Sequence, residues 1–447
     1  MNEIIIGKHT LESLTTGMYS DAKVIYREYI QNSVDSIESA IKAGIIKRKD
    51  SAIKIKISKE KSKIIIKDNG LGISRNEVIN KLLDIGNSKK NPDKMNGFRG
   101  IGRLAGLGYC EKLTFITSFK RENEKTEIIF DSDKLSEFLI PGKYEDYDLK
   151  RVIDEITTYN KYEEDQDSHF FKVILEGVKD YDDILNYDKI KLYLSQVAPV
   201  PYDKNIFSYS DLIKHEFKKK GINIKDYNIS ISNTSGEYKQ IYKLLSDNFK
   251  SNRSKKMYDS IDKIEFNFIE IDNQVIAGLW YSISSFYGTI NDYNKKGIRL
   301  RKGNFQIGDI YTLKDIFKED RFNGWFQGEL LTNHENLIPN ARRDDFEKNE
   351  TYKILKSRLN EHGYKLSKNI REISKKRNKI KKDNKIFKKI DILLDKDNND
   401  LDYKILELNE RIPNKDKKVL NKIFNIIDNE FTGKEKDKLI NKIICNY

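Results

Sequence analysis

Cysteine is nearly absent. The 447 residues hold two, Cys110 and Cys445, too few for a disulfide framework and suited to a reducing compartment. No apolar run approaches the roughly 20 residues that a bilayer-spanning helix needs. Met1-Asn-Glu-Ile-Ile-Ile-Gly7 also lacks the basic start of a secretory signal. A soluble, cytoplasmic protein with no membrane attachment is therefore expected. Histidine is scarce as well, five in all, and only His9 precedes Glu28. No internal repeat is evident. The length suffices for two or three domains with full cores.

What is abundant is positive charge, and it is unevenly spread. Of the net +13, the segment 365–389 alone carries +10, from twelve Lys or Arg against Glu372 and Asp383. Such a run is either a DNA grip or the solvated face of a lysine-rich helix, and Phe387 is the one aromatic residue in it. Both readings stay open at this point.

Apolar spacing predicts a helix over Ser20–Gly44, with Ser20 as its cap and Gly44 as its stop. Ile53, Ile55 and Ile57 alternate with polar residues as a half-buried strand, and Ile64–Ile66 return after a short turn. Helical spacing around Val78–Leu83 is followed by a glycine-bearing stretch from Gly86 to Gly108. Strands are then expected at Leu113–Thr117, Thr126–Phe130 and Phe171–Leu175. This order predicts an α+β sandwich with helices on one face of a mixed sheet. Val197-Ala-Pro199-Val-Pro201 interrupts any regular element, giving an expected first domain over 1–198. Strand-like runs at Ile229–Ile231, Ile264–Ile271, Val275–Ser284 and Ile298–Arg301 predict a second α+β domain over 199–345. Helical patterns, broken at Asp397–Asp400 and Pro413, make 346–447 a basic helical tail.

Three short segments stand out. Glu28-Tyr-Ile-Gln-Asn32-Ser-Val-Asp35 sets an acid, an amide and a second acid at i, i+4 and i+7, along one helix stripe. That stripe lies opposite the apolar face of Ile30, Val34, Ile37 and Ile41. Asp68-Asn69-Gly70-Leu71-Gly72 places a carboxylate just before two glycines. Gly97-Phe-Arg-Gly100-Ile-Gly102 can wrap an anion with backbone N–H groups. Alone, each has an ordinary explanation as a solvated face or a turn. The third is not a Walker A loop, because Arg103 and Leu104 stand where Lys and Ser/Thr would hold phosphate and metal. Nor is it a Rossmann fingerprint, because no apolar strand precedes it.

In order and spacing the three together resemble the GHKL ATPase superfamily, which includes DNA gyrase, histidine kinases, MutL and chaperones of the HtpG type. The likeness is strongest to the HtpG-type ATP-binding proteins and covers about residues 1–345. It implies an ATP site with Mg2+. Glu28 matches the general base that activates water, and Asn32 the metal ligand. Asp68 matches the carboxylate that accepts a hydrogen bond from the adenine amine, while Gly70 and Gly72 let the backbone approach the base. Gly97, Gly100 and Gly102 would supply phosphate donors, assisted by Lys89 or Lys90. Leu337-Ile-Pro-Asn340-Ala-Arg-Arg343-Asp344 resembles the chaperone catalytic loop, so Asn340 and Arg343 are expected in the catalytic set, with Arg343 reaching the γ-phosphate. The second domain would then be of the transducer or middle type. One departure stands out: where the family has a Gly-Thr pair that contacts adenine, this chain has Phe170-Phe171.

A histidine kinase would carry a phosphoacceptor helix domain before Glu28, and gyrase a metal-binding acid cluster downstream. Neither pattern is found. Two readings remain. One is a chaperone-like, nucleotide-gated dimeric ATPase acting on protein clients. The alternative is a MutL- or MORC-like DNA-associated ATPase in a bacterial defence or restriction system.

Overall fold

The computed structural model describes residues 7–8, 21–83, 102–179, 181–234, 236–251, 257–392 and 414–446. Helix α1 (Val24–Lys42) forms where the apolar spacing predicts it and buries Ile25, Ile30, Val34 and Ile37. It ends as expected at Gly44, whose φ of +71° suits a residue without a Cβ and whose N–H donates to Ile41 O at 3.1 Å. The expected cap, Ser20, lies outside the described residues, and Lys23 at the observed N-cap makes no side-chain capping bond.

Strands β1 (Ile53–Ser58) and β2 (Lys63–Asp68) pair antiparallel, Ile53 opposite Asp68. Alternating isoleucines turn one face of this hairpin inward, and α1 packs on β2. After helix α2 (Val78–Leu83) come β3 (Lys112–Ser118), β4 (Glu124–Asp131), α3 (Ser132–Phe138) and α4 (Leu149–Ile156). Strands β5 (Thr157–Glu163) and β6 (Phe170–Glu176) and helix α5 (Tyr187–Val197) complete the run. Among the described residues the sheet has the order β5-β4-β3-β6-β2-β1-β7-β8, antiparallel except where β1 runs parallel to β7. The expected mixed sheet with helices packed on it is thus observed.

The sheet does not stop at residue 198. Beyond helix α6 (Ser210–Lys219), strands β7 (Ile229–Ser232) and β8 (Lys239–Gln240) extend its edge. Tyr227, Ile229, Ile231 and Ile241 join the first core. The physical reason is that β1 would otherwise expose an unpaired edge, and the chain returns across the proline interruption to cover it. The 1–198 and 199–345 segments therefore share a sheet.

The second sheet has the order β11-β12-β15-β13-β14, from β11 (Lys263–Ile271), β12 (Gln274–Ile283), β13 (Gly297–Lys302), β14 (Phe305–Ile307) and β15 (Gln327–Thr332), beside the pair β9 (Asn248–Ser251) and β10 (Met257–Ser260). Buried polar contacts tie it to the first domain. Arg301 Nη2 donates to Gln196 O at 2.9 Å, and Arg299 Nη1 to Gln196 Oε1 at 3.1 Å. Arg301 and Lys243 share the buried carboxylate of Glu329.

The tail is helical, as expected. Helix α7 (Glu350–Ile392) packs Leu355, Leu359, Leu366 and Ile370 into the second core. Helices α8 (Asn414–Glu430) and α9 (Lys434–Asn446) form a small cluster through Leu420, Phe424, Ile427 and Ile440. The expected breaks at Asp397–Asp400 and Pro413 lie outside the described residues. Among the described residues no helix is long and apolar enough to cross a membrane.

Candidate active site

The stripe opposite α1's apolar face is not solvated. Glu28, Gln31 and Asp35 are buried and Asn32 is half-buried, so this face of α1 is covered by other parts of the chain.

Glu28 is the meeting point. It is 4% exposed, and Arg343 reaches its carboxylate from the 199–345 segment. Arg343 Nε stands 2.9 Å from Oε1, and Nη2 donates to Oε2 at 3.4 Å. Arg27 Nε lies 4.0 Å from Oε1, and its Nη2 donates to Arg342 O at 3.5 Å. The loop that presents Arg343 is held internally. Arg343 N donates to Asn340 O, Asp344 N to Asn340 Oδ1, and Gly308 N to Arg343 O at 2.8 Å. Asn340 Nδ2 donates to Asp344 Oδ1. The structure therefore brings Arg343 to Glu28, while Asn340 shapes the loop. Arg343 adopts φ of +57°, a left-handed conformation that costs a side-chain-bearing residue about 1–2 kcal/mol.

Gly102 closes the other side of Glu28. A Cβ there would stand 2.2 Å from Glu28 Oε2, so a larger residue would have to displace the Glu28 carboxylate. The segment after it is pinned by Tyr29, whose hydroxyl donates to Arg103 O at 3.1 Å and accepts from Gly106 N at 3.0 Å. Arg103 Nε donates to Leu82 O at 3.1 Å, which brings both flanks of 84–101 together beside α1. Gly97, Gly100, Lys89 and Lys90 lie outside the described residues.

Asp68 ends β2 and is 1% exposed. Its Oδ1 accepts from Gly70 N at 2.8 Å. Its Oδ2 is buried with no hydrogen-bond partner among the described residues. Burial pushes the carboxyl up to about 7, against the Ser33 and Ser36 hydroxyls and the Gly70 and Phe171 amides, which favour ionisation. The turn after it is built tightly on α1. A Cβ on Gly70 would fall 2.2 Å from Ser36 Oγ. Gly72 has φ of +72°, and a Cβ there would fall 2.0 Å from Ser118 O. His169 Nδ1 stands 2.8 Å from Gly70 O.

Phe171 lies in register with Asp68 on one side and Thr117 on the other, its ring 5.6 Å from that of Phe115. The hydroxyl in this row therefore belongs to Thr117. It accepts from Ile73 N at 2.9 Å and donates to Phe170 O at 3.1 Å, bracing the glycine turn. Reading the sequence alone missed Thr117, Ser33, Ser36 and His169. The α1 spacing would have flagged the serines, but only strand register identifies Thr117.

Residues 19–162 match the family described as histidine kinase-, DNA gyrase B- and HSP90-like ATPase. The chain is 25% identical over 370 residues to the chaperone protein HtpG of Wigglesworthia glossinidia brevipalpis, covering 74% of this chain and 53% of that one. It is 24% identical over 399 residues to HtpG of Buchnera aphidicola subsp. Schizaphis graminum, covering 83% and 57%. HtpG of Rickettsia massiliae is 30% identical over 202 residues, 40% of this chain and 30% of that one. The chain thus spans about half the length of the first two relatives. Residues 19–162 resemble a GHKL-type domain, and the wider likeness is to HtpG-type proteins.

Proposed function

We propose that the chain binds ATP with Mg2+ between α1 and the Asp68–Gly72 turn and hydrolyses it, as a nucleotide-gated conformational ATPase of the HtpG chaperone type. The observation that supports this reading is the ion pair between Glu28 on α1 and Arg343, 315 residues further along the chain. The residues fit the ligand. The orphaned Asp68 Oδ2 suits an exocyclic amine, and Gly102 brings backbone close to the Glu28 carboxylate, where a phosphate donor would be needed. Magnesium takes few protein ligands and completes its shell from phosphate and water, so a single amide, Asn32, would serve. When bound it would neutralise phosphate charge.

The chain's own residues then divide the work. Arg343 holds Glu28 as a paired carboxylate until a γ-phosphate competes for the same guanidinium. Released, Glu28 takes the proton from an attacking water, a role worth about 10²–10⁴-fold. Arg343, moved to the phosphate, stabilises the charge that develops there. A cytoplasmic homodimer joined through the helical tail, acting on protein clients, completes the proposal. The DNA-associated alternative rests on the 365–389 charge alone. Glu28→Ala should bind ATP as the parent does and lose turnover by about 10²-fold or more. Parental hydrolysis by this variant would return the α1 stripe to a structural role.

A further inference from the structure

A second recess lies wholly within the second domain and shares no residue with the nucleotide site. Its volume is about 520 Å³, and Tyr287, Tyr311, Trp325, Lys296, Gly297 and Gly324 are among its walls. That volume lies within the usual range for small-molecule sites. Glycine makes the space. A Cβ on Gly324 would fall 3.0 Å from Thr289 Cγ2 and 3.6 Å from Lys296 Cδ, and Gly297 has φ of +92°. The walls are fixed in advance by Asn323, which is buried. Its Nδ2 donates to Ile310 O at 2.6 Å, and its Oδ1 accepts from Ile298 N at 3.0 Å.

The charge in this recess is unbalanced. Lys296 is 7% exposed, with its ammonium 5.0 Å from the centre of the Tyr293 ring. Among the described residues no carboxylate lies within ion-pair distance of it. The other charged wall residues are already matched. Asp320 pairs with Lys314 at 3.1 Å, and Arg321 with Glu319 at 2.6 Å. The Lys296 ammonium gains some cation–π attraction from one aromatic ring, and an anion entering the recess would meet it with no competing carboxylate within ion-pair distance among the described residues. Tyrosine and tryptophan walls add broad apolar surface with polar edges.

We propose that this recess binds a small aromatic anion, a flat ring system carrying one negatively charged group, with Lys296 as its counter-ion. The site is separate from the nucleotide cleft and does not depend on the reading of that cleft. Dansylglycine, a naphthalene ring bearing one carboxylate, is a suitable probe, and dansylamide is its uncharged counterpart. Titration of the full chain, followed by dansyl emission and calorimetry, should show saturable dansylglycine binding at least tenfold tighter than dansylamide binding. Lys296→Met should weaken dansylglycine binding by about tenfold or more, as expected for a lost charge-assisted contact. Lys296→Arg should stay within about threefold of the parent, and it guards against a folding defect, which circular dichroism would also reveal. Failure of dansylglycine to bind overturns the proposal. So does equal binding of the two probes, or parental affinity in a folded Lys296→Met.

Discussion

Asp68 allows the sharpest test of the nucleotide reading, because its environment makes binding and stability respond to pH in opposite senses. The carboxyl is buried and pushed up to about 7, with Oδ1 engaged by Gly70 N–H and Oδ2 unpartnered. An adenine amine needs an acceptor, so the ligand selects the ionised form and drives off the proton. Adenosine is the right ligand for the test, since it has no phosphate to titrate near neutrality. Its affinity should fall about tenfold between pH 8 and pH 6, about tenfold again by pH 5, and level off above pH 8. Calorimetry in buffers of different ionisation enthalpy should show proton release on binding below about pH 7.

Stability runs the other way. A folded-state pKa raised from 3.8 to about 7 means that the fold favours the protonated carboxyl. The ligand-free protein carries no penalty below the unfolded value and loses about 4 kcal/mol as pH rises from there through about 7. Asp68→Asn removes that penalty, so urea unfolding should show it gaining on the parent progressively from pH 4 to pH 7. It should also bind adenosine poorly at every pH. With Oδ1 still engaged by Gly70 N–H, its Nδ2 would meet the amine donor to donor. A parental affinity that is flat from pH 5.5 to 8, or an Asp68→Asn variant that binds normally, would refute the adenine assignment.

Two further outcomes bear on the rest of the proposal. Arg343→Ala should slow single-turnover hydrolysis by about 10³-fold or more, with Arg343→Lys intermediate, while the ADP dissociation constant moves only a few-fold; a parental rate would remove Arg343 from the catalytic set. If the tail joins protomers, Ser at Ile386, Phe387 and Ile390 should lower the mass measured by light scattering. An unchanged mass, combined with DNA binding that weakens by about 0.9 log units per phosphate contact per decade of salt and is lost on reversing four lysines of 365–389 to Glu, would favour the DNA-associated reading.

Much of the first domain was legible because its elements follow simple periods. The Ile53, Ile55 and Ile57 alternation and the 3.6-residue apolar spacing along α1 each mark a face that packs into the core. Strands that break the apolar rule were not legible. Thr157–Glu163 is mostly exposed and offers no alternation to read. Gln327–Thr332 is buried at every position although half its residues are polar. Its Glu329 can be buried only because Lys243 and Arg301 converge on it from distant parts of the chain, and no local pattern announces such partners. The same limit applies at the site. The spacing of Glu28, Asn32 and Asp68 could be read directly, but the pairing of Thr117 with Phe171 and the burial of the α1 stripe depend on sheet register and on a second domain. The boundary expected at residue 198 was a local inference from prolines, and the pairing of β1 with Ile229–Ser232 across it is a long-range contact that no local pattern announces.

The unfavourable features of the cleft share a direction. Arg343 sits in a left-handed conformation to reach Glu28, Glu28 is buried against a guanidinium from another domain, and Asp68 keeps an unsatisfied oxygen in the interior. None of these arises from making the fold stable. In our reading, each is relieved by one part of the same ligand: the amine at Asp68, the phosphate at Arg343, and water at the freed Glu28. A ligand shifts an arrangement only through the contacts that differ between its states. Here that difference is concentrated in one interdomain ion pair, so nucleotide occupancy and the seating of the second domain on the first should be thermodynamically linked. By reciprocity, anything that pulls the Asn340–Asp344 loop away from α1 must change nucleotide affinity by the same factor that the nucleotide changes the docking.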